Sequence, residues 1–161
     1  MRRLKIALTG FGLAVIIGAM TGMAAETPET RVVKEFPSYE KAGRRWRNVV
    51  ISPGASIDAL AALAQRLHAE DPRSSFRIFT DGNEQQFRRF RLWDVHYTKD
   101  DSARYPYPEA WGNRHYIAMI HKFGMRSPRG PTQCWKLQIN QGQGVNPPVS
   151  SGHSVDLEPC R

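Results

Sequence analysis

Between residues 47 and 80 the spacing of apolar side chains changes twice, and it predicts a strand, a helix and a second strand. Residues 47–52 are rich in β-branched side chains, which favour an extended backbone. Residues 56–70 repeat their apolar side chains at helical spacing, and residues 75–80 alternate again with the period of a strand. This order predicts a β-α-β unit, whose two strands are expected to be parallel if they pair directly.

The predicted helix has signals for both of its ends. Ser56 can cap its first turn, because the hydroxyl accepts a hydrogen bond from a backbone N–H without an intrahelical partner. Asp58 stands where the helix dipole favours a negative charge. Asp71-Pro72 is expected to end the helix.

The rest of the chain is predicted to extend this unit into a mixed sheet of four or five strands in total. Residues 84–88 fit a short helical turn, and residues 89–96 fit a strand. Residues 115–122 are apolar on both faces and predict an interior strand. Further strands are expected at 135–139 and 155–157, with loops at 99–113 and 123–132. The predicted fold class is α+β, with one helix packed on the sheet.

The first twenty-five residues have the three-part layout of a secretory signal peptide: a basic start, an uncharged run and small residues before a polar segment. Cleavage is expected after Ala24 or Ala25. The alternative is an uncleaved N-terminal membrane anchor, since the uncharged run approaches the roughly 20 residues that span a bilayer. The chain is thus predicted to be periplasmic or secreted, with a polar leader over 26–43 and a single α+β domain over 44–161.

The predicted export changes what is expected of the two cysteines. In an oxidising compartment Cys134 and Cys160 are expected to form a disulfide. The bridge would close a loop of about 25 residues, for which the chain-entropy relation gives roughly 3.5 kcal/mol. Residues 141–152 inside the loop are rich in turn formers and poor in core residues, so a covalent staple suits them. Redox or metal chemistry would need closer cysteines or histidine partners.

The charge balance favours an anionic partner. The full chain carries a net charge of +8, which falls to +5 once the three basic residues of the signal segment are removed. A basic exported protein suits anionic components of the envelope, although solubility alone also explains this charge. Nucleic acid is not an expected partner, because an exported protein rarely meets genomic DNA or ribosomes. After the signal segment, no run is long and apolar enough to span a membrane.

Two clusters interleave arginine with aromatic residues and provide the candidate binding residues. Arginine pairs with phosphate or carboxylate through two hydrogen bonds, and aromatic rings stack on bases or sugars. The alternative is that the aromatic rings belong to the core and the arginines are solvated. The candidates are Arg44, Arg45, Arg47, Arg88, Arg89 and Arg91. We therefore expect a binding protein whose partner is an anionic envelope component or another protein.

A small secreted hydrolase acting on a polyanion such as RNA is the second hypothesis. His96 or His115 would be the general base and Glu109 the acid, with arginines stabilising developing charge. Asp94, His96 and His115 would form one cluster if their two strands were adjacent. The chain contains no G-x-S-x-G or H-E-x-x-H motif and no nucleotide-binding glycine pattern. No cofactor and no metal are expected.

Overall fold

The computed structural model describes residues 30–97, 103–127 and 130–159, which form an α+β fold with a mixed six-stranded sheet and three α-helices. The strands are β1 (Val32–Lys41), β2 (Arg44–Ile51), β3 (Ser75–Phe79), β4 (Tyr116–Ser127), β5 (Gly130–Ile139) and β6 (Ser154–Asp156). The helices are α1 (Ile57–Glu70), α2 (Glu84–His96) and α3 (Glu109–His115). The predicted fold class is confirmed, and the sheet has six strands rather than four or five.

The β-α-β unit is present as the sequence predicted. β2 and β3 pair in parallel, and α1 connects them. The Ser56 hydroxyl accepts a hydrogen bond of 3.1 Å from the backbone N–H of Ala59 and so caps α1. At the other end the helix stops at Glu70, and the backbone N–H of Asp71 donates to Leu67.

The sheet separates two apolar cores. The strands lie in the order β1-β2-β3-β4-β5-β6, and every neighbouring pair except β2–β3 is antiparallel. α1 covers one face, where its leucines pack against Phe76 and Ile78 of β3. α2 and α3 contribute to the core on the other face, which contains Phe79, because successive strand residues point to opposite faces.

β1 lies within the segment that the sequence predicted as a polar leader, and this prediction is corrected for residues 32–41. β1 pairs with β2 and forms one edge of the sheet. Only Phe36 and Tyr39 of this strand are buried, while most of its other residues are exposed. Because an edge strand can bury so few of its side chains, the composition of β1 resembles that of a linker, which explains the prediction. Residues 1–29 lie outside the described residues, so the signal peptide stays a prediction.

α2 continues the helical turn predicted over 84–88, which is confirmed, through residues 89–96, where the predicted strand is wrong. Asn83 caps the helix by accepting a 3.1 Å hydrogen bond from the backbone N–H of Gln86. The helix buries Phe87, Phe90 and Asp94, which share one helical face. A strand would place Phe90, Leu92 and Asp94 on one face. In the helix Phe90 and Asp94 are buried together, whereas Leu92 is exposed.

Two further boundaries differ from the prediction. α3 occupies the end of the predicted loop over 99–113, and His115 is its last residue rather than the first of a strand. β4 and β5 extend into the region predicted as a loop over 123–132, because the two strands continue pairing as far as Ser127 and Gly130. The interior position of β4 and the return of residues 155–157 beside β5 are confirmed, since β6 pairs with β5.

The structure describes one of the two cysteines of the predicted C-terminal disulfide. Cys134 is buried on β5, with 1% of its surface exposed. Cys160 lies outside the described residues, so the predicted Cys134–Cys160 disulfide stays a prediction. Among the residues that the structure describes, no helix is long and apolar enough to cross a membrane.

Candidate functional site

α2 presents three arginines to solvent. Arg88, Arg89 and Arg91 are all exposed, because the helix turns its other side, with Phe87 and Phe90, toward the sheet. None of the three guanidinium groups forms an ion pair with a carboxylate of the described residues. We call these three residues together with the neighbouring exposed Leu92 the α2 surface.

The arginines of the other cluster lie at the start of β2 and have different surroundings. Arg44 and Arg45 are exposed, and each donates one hydrogen bond, to the Lys122 carbonyl and to the Ser38 hydroxyl. Arg47 donates to both carboxylate oxygens of Glu35, at 2.7 and 3.2 Å. This pairing raises the pKa of Arg47, and the charge of Arg47 is neutralised within the protein.

The structure brings the two clusters only partly together. α2 runs beside β1, since Lys34 contacts Glu84 and Lys41 contacts Asp94, both at 2.9 Å. Arg44 pairs in register with Lys41 and so lies near the end of α2, whereas Arg45 points to the opposite face of the sheet. The candidate set therefore reduces to the α2 surface, with Arg44 next to it.

A buried arginine–aspartate pair lies beneath α2, and the sequence did not predict it. Arg77 of β3 and Asp94 of α2 are 3% and 4% exposed, and their side chains are joined by a 2.8 Å hydrogen bond. Asp94 also accepts from the Tyr39 hydroxyl at 2.8 Å and from Lys41 at 2.9 Å. The Arg77 guanidinium donates to Tyr39 and lies 3.7 Å from the ring centroid of Trp46. We call Arg77, Asp94, Tyr39 and Lys41 together the Arg77 cluster.

The Arg77 cluster joins α2 to β1 and β3 through side-chain hydrogen bonds. Burial raises the pKa of the Tyr39 hydroxyl far above its ordinary value, and the positive charge of Arg77 opposes this only in part. Both carboxylate oxygens of Asp94 accept hydrogen bonds from neighbours. The one sequence signal for this cluster was an acidic residue on the same helical face as Phe87 and Phe90.

The candidate catalytic residues lie on two helices, with His96 at the end of α2 and Glu109 and His115 at the two ends of α3. His96 stacks on Tyr105 with ring centroids 4.4 Å apart, and His115 lies with Nδ1 3.1 Å from the Thr80 hydroxyl. Glu109 is exposed at the first residue of α3, about 9 Å of helical rise from His115 at the last.

The condition for an Asp94–His96–His115 cluster, two adjacent strands, is not met, because Asp94 and His96 belong to α2 and His115 belongs to α3. Residues two apart on a helix lie about 200° apart around its axis, so Asp94 and His96 face nearly opposite directions. Asp94 is occupied by Arg77, Tyr39 and Lys41. Within the described ranges, no group of three or more His, Cys, Asp or Glu residues could hold a metal ion.

One further histidine lies on the sheet face that α2 partly covers. His121 of β4 stacks on Phe123 with ring centroids 3.8 Å apart, and its Nε2 lies 3.5 Å from the Gln138 side-chain oxygen. Burial lowers the pKa of His121, and the positive charges of Arg44 and Arg77 lower it further. His121 is therefore neutral at pH 7 and adds no charge to the neighbouring basic surface.

Comparisons with known proteins give no assignment. No protein-family model, curated protein or solved structure matches this chain. The roles of its residues are therefore inferred from contacts within the chain. Those contacts favour the α2 surface as the candidate functional site, because the Arg77 cluster is internally paired.

Proposed function

We propose that this protein is an exported, non-enzymatic binding protein of the cell envelope and that α2 contacts an anionic partner. The observation that supports this proposal best is the exposure of Arg88, Arg89 and Arg91 within about one helical turn, without a carboxylate partner in the described residues. Arginine at such a surface can bind phosphate, sulfate or carboxylate groups through paired hydrogen bonds.

The local charge supports an external anion rather than an internal one. α2 contains two acidic residues, and both already have basic partners elsewhere: Glu84 pairs with Lys34, and Asp94 pairs with Arg77 and Lys41. The hydrogen bond and charge of Lys34 and, less strongly, the charge of Arg88 lower the pKa of Glu84, so the three arginine charges of α2 are only partly balanced by acids of the same helix. The separation of Glu109 from His115 along α3 also favours binding over hydrolysis of the anion.

α2 is well anchored, as a binding element requires. Phe87 and Phe90 are 4% and 0% exposed, and Asp94 ties the last turn of the helix to β1 and β3. A helix fixed at both ends presents its arginines in a constant arrangement. Binding would then cost little additional ordering of the backbone.

Replacing Arg88, Arg89 and Arg91 together with Ala is expected to shift elution from heparin resin to clearly lower salt. The reason is that exposed charges attract a polyanion most strongly at low ionic strength. The matched control replaces three other exposed arginines, Arg73, Arg104 and Arg114, and removes the same net charge. Unchanged retention of the α2 variant, or an equal shift in the control, would contradict binding by α2.

The proposed export includes the Cys134–Cys160 disulfide. In protein purified after export and denatured, we expect a thiol-alkylating reagent to label neither cysteine before reduction and both after it. Cys134→Ser is the matched control, because it should leave one labelled cysteine without reduction. Labelling of both cysteines in the unreduced wild-type protein would show that the staple is absent.

A further inference from the structure

Leu92 lies next to Arg88 and Arg89 on the solvent side of α2. Successive helical residues are about 100° apart, which places Leu92 about 170° around the axis from the centre of the buried face formed by Phe87, Phe90 and Asp94. Leu92 is 40% exposed. A leucine at this position contributes little to the core of the chain, so its apolar surface is available to a partner.

A second exposed apolar side chain lies at the end of the same helix. Tyr97 is 60% exposed, and its ring stacks against Trp93 with centroids 5.1 Å apart. Leu92 and Tyr97 are two of the four large hydrophobic residues that are exposed in the described part of the chain; the others, Val32 and Val33, are on β1. The same 100° step places Tyr97 about 140° around the axis from Leu92, on the side of α2 that carries Trp93, so Leu92 is the apolar side chain that accompanies the arginines.

We propose that the anionic partner of α2 is a lipid surface, an inference that rests on the proposed function. Helices that lie on membranes combine basic residues for the phosphate headgroups with apolar and aromatic side chains that enter the headgroup region. Arg88 and Arg89, which precede Leu92 by four and three residues and so flank it on the helix surface, supply the first element, and Leu92 supplies the second.

The position of Leu92 favours lipid over a water-soluble polyanion. A polysaccharide or nucleic acid would satisfy the arginines but would offer a leucine side chain little apolar surface to bury. A bilayer offers both an anionic surface and an apolar layer directly beneath it. An exposed leucine flanked by Arg88 and Arg89 is therefore best matched by acidic phospholipid.

The test measures co-sedimentation of the wild-type protein with phosphatidylcholine vesicles that contain or lack phosphatidylglycerol. We expect binding only when phosphatidylglycerol is present. The triple arginine variant should bind at least about tenfold more weakly, because each basic residue near an anionic leaflet contributes substantially. Leu92→Ser should weaken binding about fivefold, and Leu92→Trp should strengthen it. Val33→Ser, which changes an exposed apolar residue of β1, should bind like the wild type.

Heparin retention separates this inference from the proposed function. We expect Leu92→Ser to keep wild-type heparin retention while losing vesicle binding. If Leu92→Ser binds vesicles as well as the wild type, the lipid inference fails, while the proposed function stands as long as the arginine variant still loses heparin retention. If Leu92→Ser loses heparin and vesicle binding equally, a water-soluble polyanion replaces lipid as the partner. All variants share the same N-terminal segment, so their comparison isolates α2.

Discussion

Replacing Asp94 with Ala is expected to lower the free energy of unfolding by about 3–5 kcal/mol, because it leaves a buried charge without its partner. The Arg77 guanidinium, 3% exposed, would lose its carboxylate, and the Tyr39 hydroxyl would lose an acceptor. Lys41 is partly exposed and can turn toward water. Urea denaturation followed by tryptophan fluorescence measures the loss.

Two further variants test whether the loss of stability comes from the unpaired buried charge or from any substitution of an acidic residue in α2. Glu84→Ala removes the other acidic residue of α2, whose pair with Lys34 lies at the surface, and it should change stability little. Arg77→Met combined with Asp94→Ala should recover part of the loss, because no unpaired guanidinium remains. If Asp94→Ala were no more harmful than Glu84→Ala, the Arg77 cluster would not hold α2 to the sheet.

Replacing Phe79 with Ala is expected to cost about 3–5 kcal/mol of unfolding free energy, because it opens a cavity in the second core. Phe79 is fully buried, and five rings lie with their centroids within 6.0 Å of its own. The rings belong to Phe36, Phe87, Phe90, Trp111 and Tyr116.

The same urea experiment checks this prediction, and the fluorescence of Trp111, 5.3 Å from Phe79, should also change. Phe79→Leu is the graded control, since it keeps much of the buried volume and should cost less. Tyr97→Ala removes an exposed ring from the same side of the sheet and should leave stability nearly unchanged. A loss below about 1 kcal/mol for Phe79→Ala would show that the aromatic core repacks.

The β-α-β unit could be predicted because local sequence decides it. Leu60, Leu63 and Leu67 repeat at helical spacing, and the helix needs only one apolar surface to pack against. Caps and breakers at Ser56 and Asp71 then set its ends. No contact with a distant residue is required to infer these elements, so a single sequence is sufficient.

α2 could not be predicted correctly because its key partner is distant in the chain. Asp94 is buried by its contact with Arg77, which comes from a different strand, and an acidic residue without a known partner suggests exposure. Leu92 misleads in the opposite direction, since an apolar residue suggests burial but faces solvent. Because neither residue has the burial that its type suggests, the pattern of residues 89–96 predicts a strand rather than part of a helix.

The candidate site also contains residues whose surroundings could be predicted from the sequence and residues whose surroundings could not. The exposure of Arg88, Arg89 and Arg91 agrees with the sequence-based choice of binding residues, although their partner remains a proposal. Arg47 was selected for the same reason, but its charge is neutralised once β1 places Glu35 beside it. The sequence alone could not separate these arginines, because β1 was taken for a leader.

The chain-order arrangement of the sheet also affects how the protein folds. Each strand from β2 to β6 pairs with the strand that precedes it in the described chain, so every new pairing extends an existing edge. Topologies dominated by such neighbouring contacts fold faster than those that join distant segments. For a chain that crosses a membrane N-terminus first, as proposed here, the sheet could grow strand by strand during translocation, and β6 with the second cysteine would arrive last.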